Sequence, residues 1–551
     1  MNRLRKLTVG MAMMAVMLLA SVRAMAQDPV VVISVRSVDG ALGDVKYVLS
    51  AAGAPQLGDF VDGFIDTLTQ GKGLAGLDRT KPLGAYLSLG AGGNPDFAFF
   101  IPVTDNQAFK GLATQIVATI APGAPPKLQD LAGGMFSIQG GAGQPIYGKF
   151  SQGHCFLAIL PTSLEKLPDP AKIASTQYDL SFDANLSKIP DDFKDLLLEQ
   201  IEAAAALQRE AQPKPPNEAA ARGREFGEKM AMQAVRMLVK ESERFGAGLE
   251  VDQKTKLVSL DFNLVAKPGS GLATALTSYG KTKSSFASLA GPDSAASMLF
   301  AMPLSAEIRQ LAQEAIKAGR TEGHADIDKN DKLSTQDRKA AHELLDRLIK
   351  VADASFEAGQ VDAAWTLNTT DDKKAQIVAA IKIARGSDLA GVVDEIVRLA
   401  ANQPGIEKVK LDVAKHGGAR IHSLDIDLKG DAKAALGDGS VHVGIRDDSV
   451  FFAIGGDSLA AVKSAIDKMG ESRGNRPPVS VRVSVGKLIS MFATGDDPNV
   501  AAARKAFAAG GDQISIELLP IERGARLRLE SGDAVLRFIG LLAGQQFGLG
   551  Q

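Results

Sequence analysis

A single cysteine, Cys155, stands in 551 residues, so no intrachain disulfide and no cysteine-based zinc site can form. One tryptophan, Trp365, and five tyrosines leave no wall of aromatic platforms for sugars or single-stranded nucleic acid. Neither sign of charge dominates, with 62 Lys and Arg against 64 Asp and Glu. A broad nucleic-acid surface is not indicated at that balance. The six histidines include no His-x-x-x-His pair, the spacing of a helical zinc site. Past the N-terminal region no apolar run reaches the roughly 18 residues of a membrane span. The closest, 534–549, is broken by Arg537, Gln545 and Gln546. No Gly-x-Ser-x-Gly elbow is present, and no Ser-x-x-Lys match comes with its partner motifs.

What is present is a globular mixture, 45% hydrophobic and 23% charged, long enough for two to four domains. Arg3, Arg5 and Lys6 precede an apolar stretch from Leu7 to Ala20, and Ala24-Met25-Ala26 follows. This order of positive, apolar and small residues predicts a secretory signal peptide over 1–26, cleaved after Ala26. The mature protein is expected in the periplasm or outside the cell, with no membrane span of its own.

Segments echo one another across the chain. Phe156-Leu-Ala-Ile-Leu-Pro-Thr-Ser-Leu164 matches Phe451-Phe-Ala-Ile-Gly-Gly-Asp-Ser-Leu459. Pro216-Asn-Glu-Ala-Ala-Ala-Arg222 matches Pro498-Asn-Val-Ala-Ala-Ala-Arg504. In the same order, Phe97–Val103 pairs with Ile377–Ile383, Leu180–Leu186 with Val481–Val485, and Leu257–Leu264 with Ala525–Leu529. An internal duplication is expected, with one α+β lobe over 27–283 and a second over 284–551. Alternating strands with short turns, such as Val441–Ile445 and Val450–Ile454, predict a mainly antiparallel sheet. Leu57, Phe60, Val61, Phe64, Ile65 and Leu68 fall at helical spacing, and such a stripe is expected to face a core. The proline-rich stretch Leu207–Asn217 reads as a linker.

One motif carries a mechanism. At 326–337 the chain reads Asp-Ile-Asp-Lys-Asn-Asp-Lys-Leu-Ser-Thr-Gln-Asp, between two helical patterns. The segment resembles an EF-hand or dockerin-type calcium loop, within a helix-loop-helix insert at about 305–352 of the second lobe. Its ligand positions would be Asp326, Asp328, Asn330, Lys332 through its carbonyl, Ser334 and Asp337. Position six is Asp331 rather than glycine, and position twelve is Asp337 rather than glutamate; both weaken the site. The alternative is an acidic turn in which Ser334 caps the following helix. A calcium ion here would be structural.

The leader, Gly76-Leu-Asp-Arg-Thr-Lys-Pro-Leu-Gly84, Pro95-Asp-Phe-Ala-Phe-Phe-Ile-Pro-Val103 and the echo at Phe156 and Phe451 resemble uncharacterised exported proteins of planctomycete-type bacteria. That resemblance implies no activity and lends no catalytic residue. With no complete catalytic constellation, the sequence points to a non-enzymatic binding or scaffolding protein whose partner is a protein or an apolar ligand. Small strand residues such as Ala98, Ala158, Ala379 and Ala453 also suit a carrier of an apolar ligand. A hydrolase with dispersed carboxylates is the third reading, and Asp425 and Asp427 share one strand face for it.

Overall fold

The structure, a computed structural model, describes residues 26–547 apart from 90–94, 121–124, 141–142, 211, 214–217, 292, 332, 371–373, 390–391, 394–405, 438, 472–476 and 493–496. The expected leader, but for Ala26, and Lys332 of the expected calcium loop lie outside the described residues.

The chain is α+β, and among the described residues every strand pairing is antiparallel. Its first ten strands are β1 Ala26–Val35, β2 Leu83–Leu89, β3 Pro95–Pro102, β4 Lys127–Asp130, β5 Met135–Gln139, β6 Ile146–Ser151, β7 His154–Ala158, β8 Leu180–Asn185, β9 Ser242–Asp252 and β10 Leu257–Ala266. The next ten are β11 Ala296–Pro303, β12 Gln360–Thr369, β13 Ala375–Lys382, β14 Ile406–His416, β15 Ala419–Ile426, β16 Ser440–Ile445, β17 Ser449–Ile454, β18 Val479–Ser484, β19 Gln513–Ile521 and β20 Gly524–Gly532.

The pairings join all twenty into one sheet. From one edge the first half runs β4, β5, β6, β7, β3, β2, β1, β8, β9, β10. The second half then runs β20, β19, β18, β11, β12, β13, β17, β16, β15, β14. Read from its own outer edge, each half has the same order. The seam between them is β10 against β20, paired from Leu257 with Gly532 to Val265 with Gly524.

Helices fill matching connections. Two helices, Val38–Ala51 and Gln56–Thr69, lie between β1 and β2. Two longer ones, Ala306–Lys329 and Thr335–Glu357, lie between β11 and β12. The helical hairpin expected as an insert of the second half therefore has a shorter counterpart in the first. Helices Asp191–Glu210 and Glu218–Glu241 precede β9, as Val485–Phe492 and Pro498–Phe507 precede β19. Gly271–Lys281 follows β10, and Asp533–Phe547 follows β20. The expected linker 207–217 is partly helical, since the Asp191 helix runs on to Glu210.

Two cores lie on one face of the sheet. In the first half Val32, Tyr86, Ala98, Phe100, Phe156 and Ala158 close under Leu164. In the second, Leu299, Ala364, Val378, Ala380, Phe451 and Ala453 close under Val462, Ala465 and Ile466 of the helix Ser458–Asp467. Phe156 and Phe451 hold matching positions on β7 and β17, and neither has any exposed surface.

Candidate functional site: an apolar sheet face between two rows of helices

Side chains alternate between the faces of a strand, and directly paired residues share a face. The register therefore assigns every strand residue to one side. At the seam, Ser259, Asp261 and Asn263 face Glu530, Arg528 and Arg526 on the side that carries the two cores. Leu260, Phe262 and Leu264 face Leu529, Leu527 and Ala525 on the other.

The seam is polar where it is buried. Asp261 has no exposed surface. Its carboxylate accepts from Arg528 Nε at 2.9 Å, Arg528 Nη2 at 2.9 Å and the Tyr178 hydroxyl at 2.9 Å. Arg526 donates through Nε to Asn263 Oδ1 at 2.7 Å. Burial alone would raise the Asp261 carboxyl; the Arg528 guanidinium, the Tyr178 hydroxyl and the charge of Arg526 hold it below the usual carboxylate range. Tyr178 reaches this network by lying flat over β9 at Gly248, where a Cβ would meet its ring at 2.3 Å. A cavity of about 300 Å³ beside it is lined by Ser181, Arg244, Gly246 and Asn263.

The opposite face is apolar and open. One row on this face runs from Phe262 through Ala247, Phe182, Ile33 and Ala85 to Phe99, and following the register outward from Leu260 gives Leu249, Leu180 and Val35 in the first half. It gives Leu529, Ile516, Val481, Met298, Trp365 and Ala379 in the second. On this one face Ile33, Phe97, Phe99, Leu180, Leu260, Phe300, Ile381, Ile516 and Leu527 are between 36% and 47% exposed. They span the twelve adjacent strands from β3 to β13, on the order of 50 Å at the usual strand spacing.

Helices stand on this face at both strand ends. At one end a row of touching helices runs Asn106–Ile120, Gln56–Thr69, Val38–Ala51, Asp533–Phe547, Pro498–Phe507 and Val485–Phe492. Phe109, Ala113 and Val117 anchor it on Ile138 and Cys155. Leu488 and Met491 anchor it on Ala296, Leu367 and Val483. At the other end Asp191–Glu210, Glu218–Glu241, Ala306–Lys329 and Thr335–Glu357 touch in series, with Gly271–Lys281 against Glu218–Glu241. Leu272, Ala273 and Met237 fix that row on Leu264 and Ala266. The result is a trough with an apolar floor. The row helices also carry exposed Leu57, Phe60, Phe64, Ile120, Leu207 and Ile539. The Leu57–Leu68 stripe thus does not seal a core: Phe60 is 73% exposed, because the helix packs beside its neighbours rather than over the sheet.

The described members of the expected calcium set lie on a helix end and on the capped turn that follows it. The helix Ala306–Lys329 continues through Asp326 and Asp328, and residues two apart on a helix point away from each other. Asn330 ends that helix. Asp328 Oδ1 accepts from His342 Nε2 at 2.9 Å. Ser334 Oγ accepts from Asp337 N at 3.1 Å and donates to Asp337 Oδ2 at 2.7 Å, so the turn is closed as a helix N-cap. In one Ser-x-x-Lys match, Ser484-Val-Gly-Lys487, the Ser484 hydroxyl accepts from Lys487 N at 3.3 Å and bonds Asp512. Asp425 accepts from Ser440 Oγ at 2.9 Å, and Asp427 pairs with Lys429 at 3.2 Å. No family model, no curated protein and no solved structure matches the chain.

Proposed function

We propose that this is an exported, non-enzymatic binding protein, built by duplication of an α+β unit, that carries an apolar ligand with long hydrocarbon chains in the trough. The observation that carries the reading is the set of nine large apolar side chains half-exposed on one sheet face. A monomer rarely exposes a contiguous apolar patch beyond a few hundred square ångströms without using it. Shared strand order, matching helix placement and the fall of the described parts of the sequence echoes on corresponding elements support the duplication; Pro216 and Asn217 of one echo lie outside the described residues.

A second copy of the chain is the poorer occupant. Sheets pack face to face at about 10 Å, and the helical rows, each about 10 Å thick, stand on the face that would have to approach. Flexible hydrocarbon chains enter such a trough without that obstacle. Covering nine side chains removes on the order of 60–80 Å² each, or about 600 Å². At ~25 cal/mol per Å² that is about 15 kcal/mol before association costs, which run from about 4 to 15 kcal/mol. The sum allows usable affinity without a specific polar contact.

The test is fluorescence titration of the mature protein with cis-parinaric acid, a polyunsaturated fatty acid that emits when shielded from water. Saturable binding that Leu260→Asp and Phe99→Asp weaken at least tenfold supports the reading. Binding that is absent, or equal in both variants, overturns it. A calcium ion at 326–337 is part of the same proposal only as a structural ion. Because Asp326 and Asp328 sit within a helix, its uptake would unwind the last turn. Loss of helical circular dichroism on adding calcium, abolished by Asp326→Ala, is the expected sign.

A further inference from the structure

The tip of the long helical hairpin holds a feature independent of the trough. His324, on the first helix, and His342, on the second, meet with ring centroids 4.7 Å apart and planes inclined by 25°. Their Nδ1 atoms face each other at 2.5 Å. Each ring turns its other nitrogen to a carboxylate. His324 Nε2 meets Asp346 Oδ1 at 2.9 Å, and His342 Nε2 meets Asp328 Oδ1 at 2.9 Å. Arg320 Nε donates to the same Asp346 oxygen at 2.9 Å.

A neutral imidazole carries one N–H, and the other nitrogen is a lone pair. A carboxylate accepts only, so a neutral ring held this way carries its hydrogen on Nε2 and its lone pair on Nδ1. Two neutral rings held this way set their Nδ1 lone pairs against each other, and a cation between them, a proton or a metal ion, relieves that repulsion. Imidazole nitrogens converging from two elements, each with the far N–H held by a carboxylate, is the arrangement found around bound transition metals, where the carboxylate fixes the tautomer and raises ligand basicity. Both rings are partly open to solvent, so an ion can reach them and complete its shell with water.

We propose that His324 and His342 bind one borderline divalent transition-metal ion, of which zinc is the type, through their Nδ1 atoms. Two bonds of 2.0–2.1 Å at a tetrahedral angle need the nitrogens about 3.3 Å apart, an opening of under 1 Å that side-chain rotation supplies. The ion ties the two helices together one to two turns below the connecting turn. It differs in kind from calcium, which takes oxygen ligands. With two protein ligands, binding is weaker than at a closed four-ligand site.

The experiment is isothermal titration of the untagged mature protein with zinc chloride in excess calcium, with His324→Gln, His342→Gln and Asp346→Asn alongside. One zinc per chain is expected. Either histidine variant should lose at least tenfold in affinity, and Asp346→Asn should lose about tenfold or more through the orienting bond. Zinc-edge X-ray absorption of the wild type gives a reading that does not depend on any variant folding. Two imidazole ligands with the remainder oxygen supports the site. An all-oxygen shell, affinity unchanged in both histidine variants, or no zinc bound at 1 mM (on the order of the weakest affinity a useful site would have) overturns it.

Discussion

Asp261→Asn is the sharpest probe of how the two halves are held together. The substitution keeps the shape of the side chain and removes its charge. It leaves Arg528, and the nearby Arg526, facing an amide, half of which now donates. Removing one partner of a buried ion pair costs about 3–5 kcal/mol, because the other charge stays desolvated. Arg528 and Arg526 are about a quarter exposed, so water recovers part of that loss and the lower end, about 3 kcal/mol, is expected. Urea unfolding followed by circular dichroism and by the fluorescence of Trp365 is the assay. Trp365 lies in the second half, so it also shows whether the halves still unfold together. The carboxyl is depressed in the folded state, so its contribution is complete above the unfolded value near 3.9 and lost as pH falls through the folded value. The gap between wild type and variant should be constant from pH 7 to 5 and narrow below about 4. Leu260→Ala, one residue away on the open face, should cost about 1 kcal/mol or less. An Asp261→Asn loss below 1 kcal/mol (about a third of the expected figure), or a larger loss at Leu260, would refute the assignment of faces.

Phe156→Ala and Phe451→Ala should each cost about 3–5 kcal/mol in equilibrium unfolding, since both rings are fully buried in corresponding cores; a large loss at one and none at the other would argue against equivalent halves. Ser334→Ala should cost about 1 kcal/mol by removing the cap of Thr335–Glu357, visible as a small drop in thermal midpoint. Burial first, and then the neighbouring Asp179 carboxylate, raises Asp44, against the Gln253 hydrogen bond and the Arg36 charge. Its folded value lies above the unfolded one, so its favourable contribution is present at low pH and lost as pH rises through the folded value. Asp44→Asn should therefore gain stability relative to wild type between pH 3.5 and pH 7 (a window that brackets the ordinary Asp value near 3.9), and a gap that stays flat or moves the other way would contradict the burial.

The α+β class and the antiparallel hairpins were legible because they rest on local periodicity. Which strand face would be buried was not. Leu260-Asp-Phe-Asn-Leu264 alternates as if apolar residues faced inward. In the fold Asp261 is fully enclosed and Leu260 is 38% exposed, because Tyr178 and two arginines of β20, far along the chain but adjacent in the sheet, satisfy the carboxylate, while the leucine lies on the open face. Periodicity locates a face; tertiary contacts decide its partner. The same limit explains the Leu57–Leu68 stripe. At 326–337 the acidic spacing was plain, but the turn closes by helix capping, which the serine also predicted. His324 and His342 escaped a search for i,i+4 pairs. Each stands nine residues from Leu333 in the turn, and such symmetry about a helical hairpin was the signal available.

Native mass spectrometry of the mature protein purified from the periplasm tests the central claim most directly. The account predicts, beside the polypeptide mass, one or more additional masses that organic extraction releases and identifies as long-chain amphiphiles, and their loss in Leu260→Asp. A bare polypeptide mass in gentle conditions, with no apolar compound in the extract, would contradict a carrier.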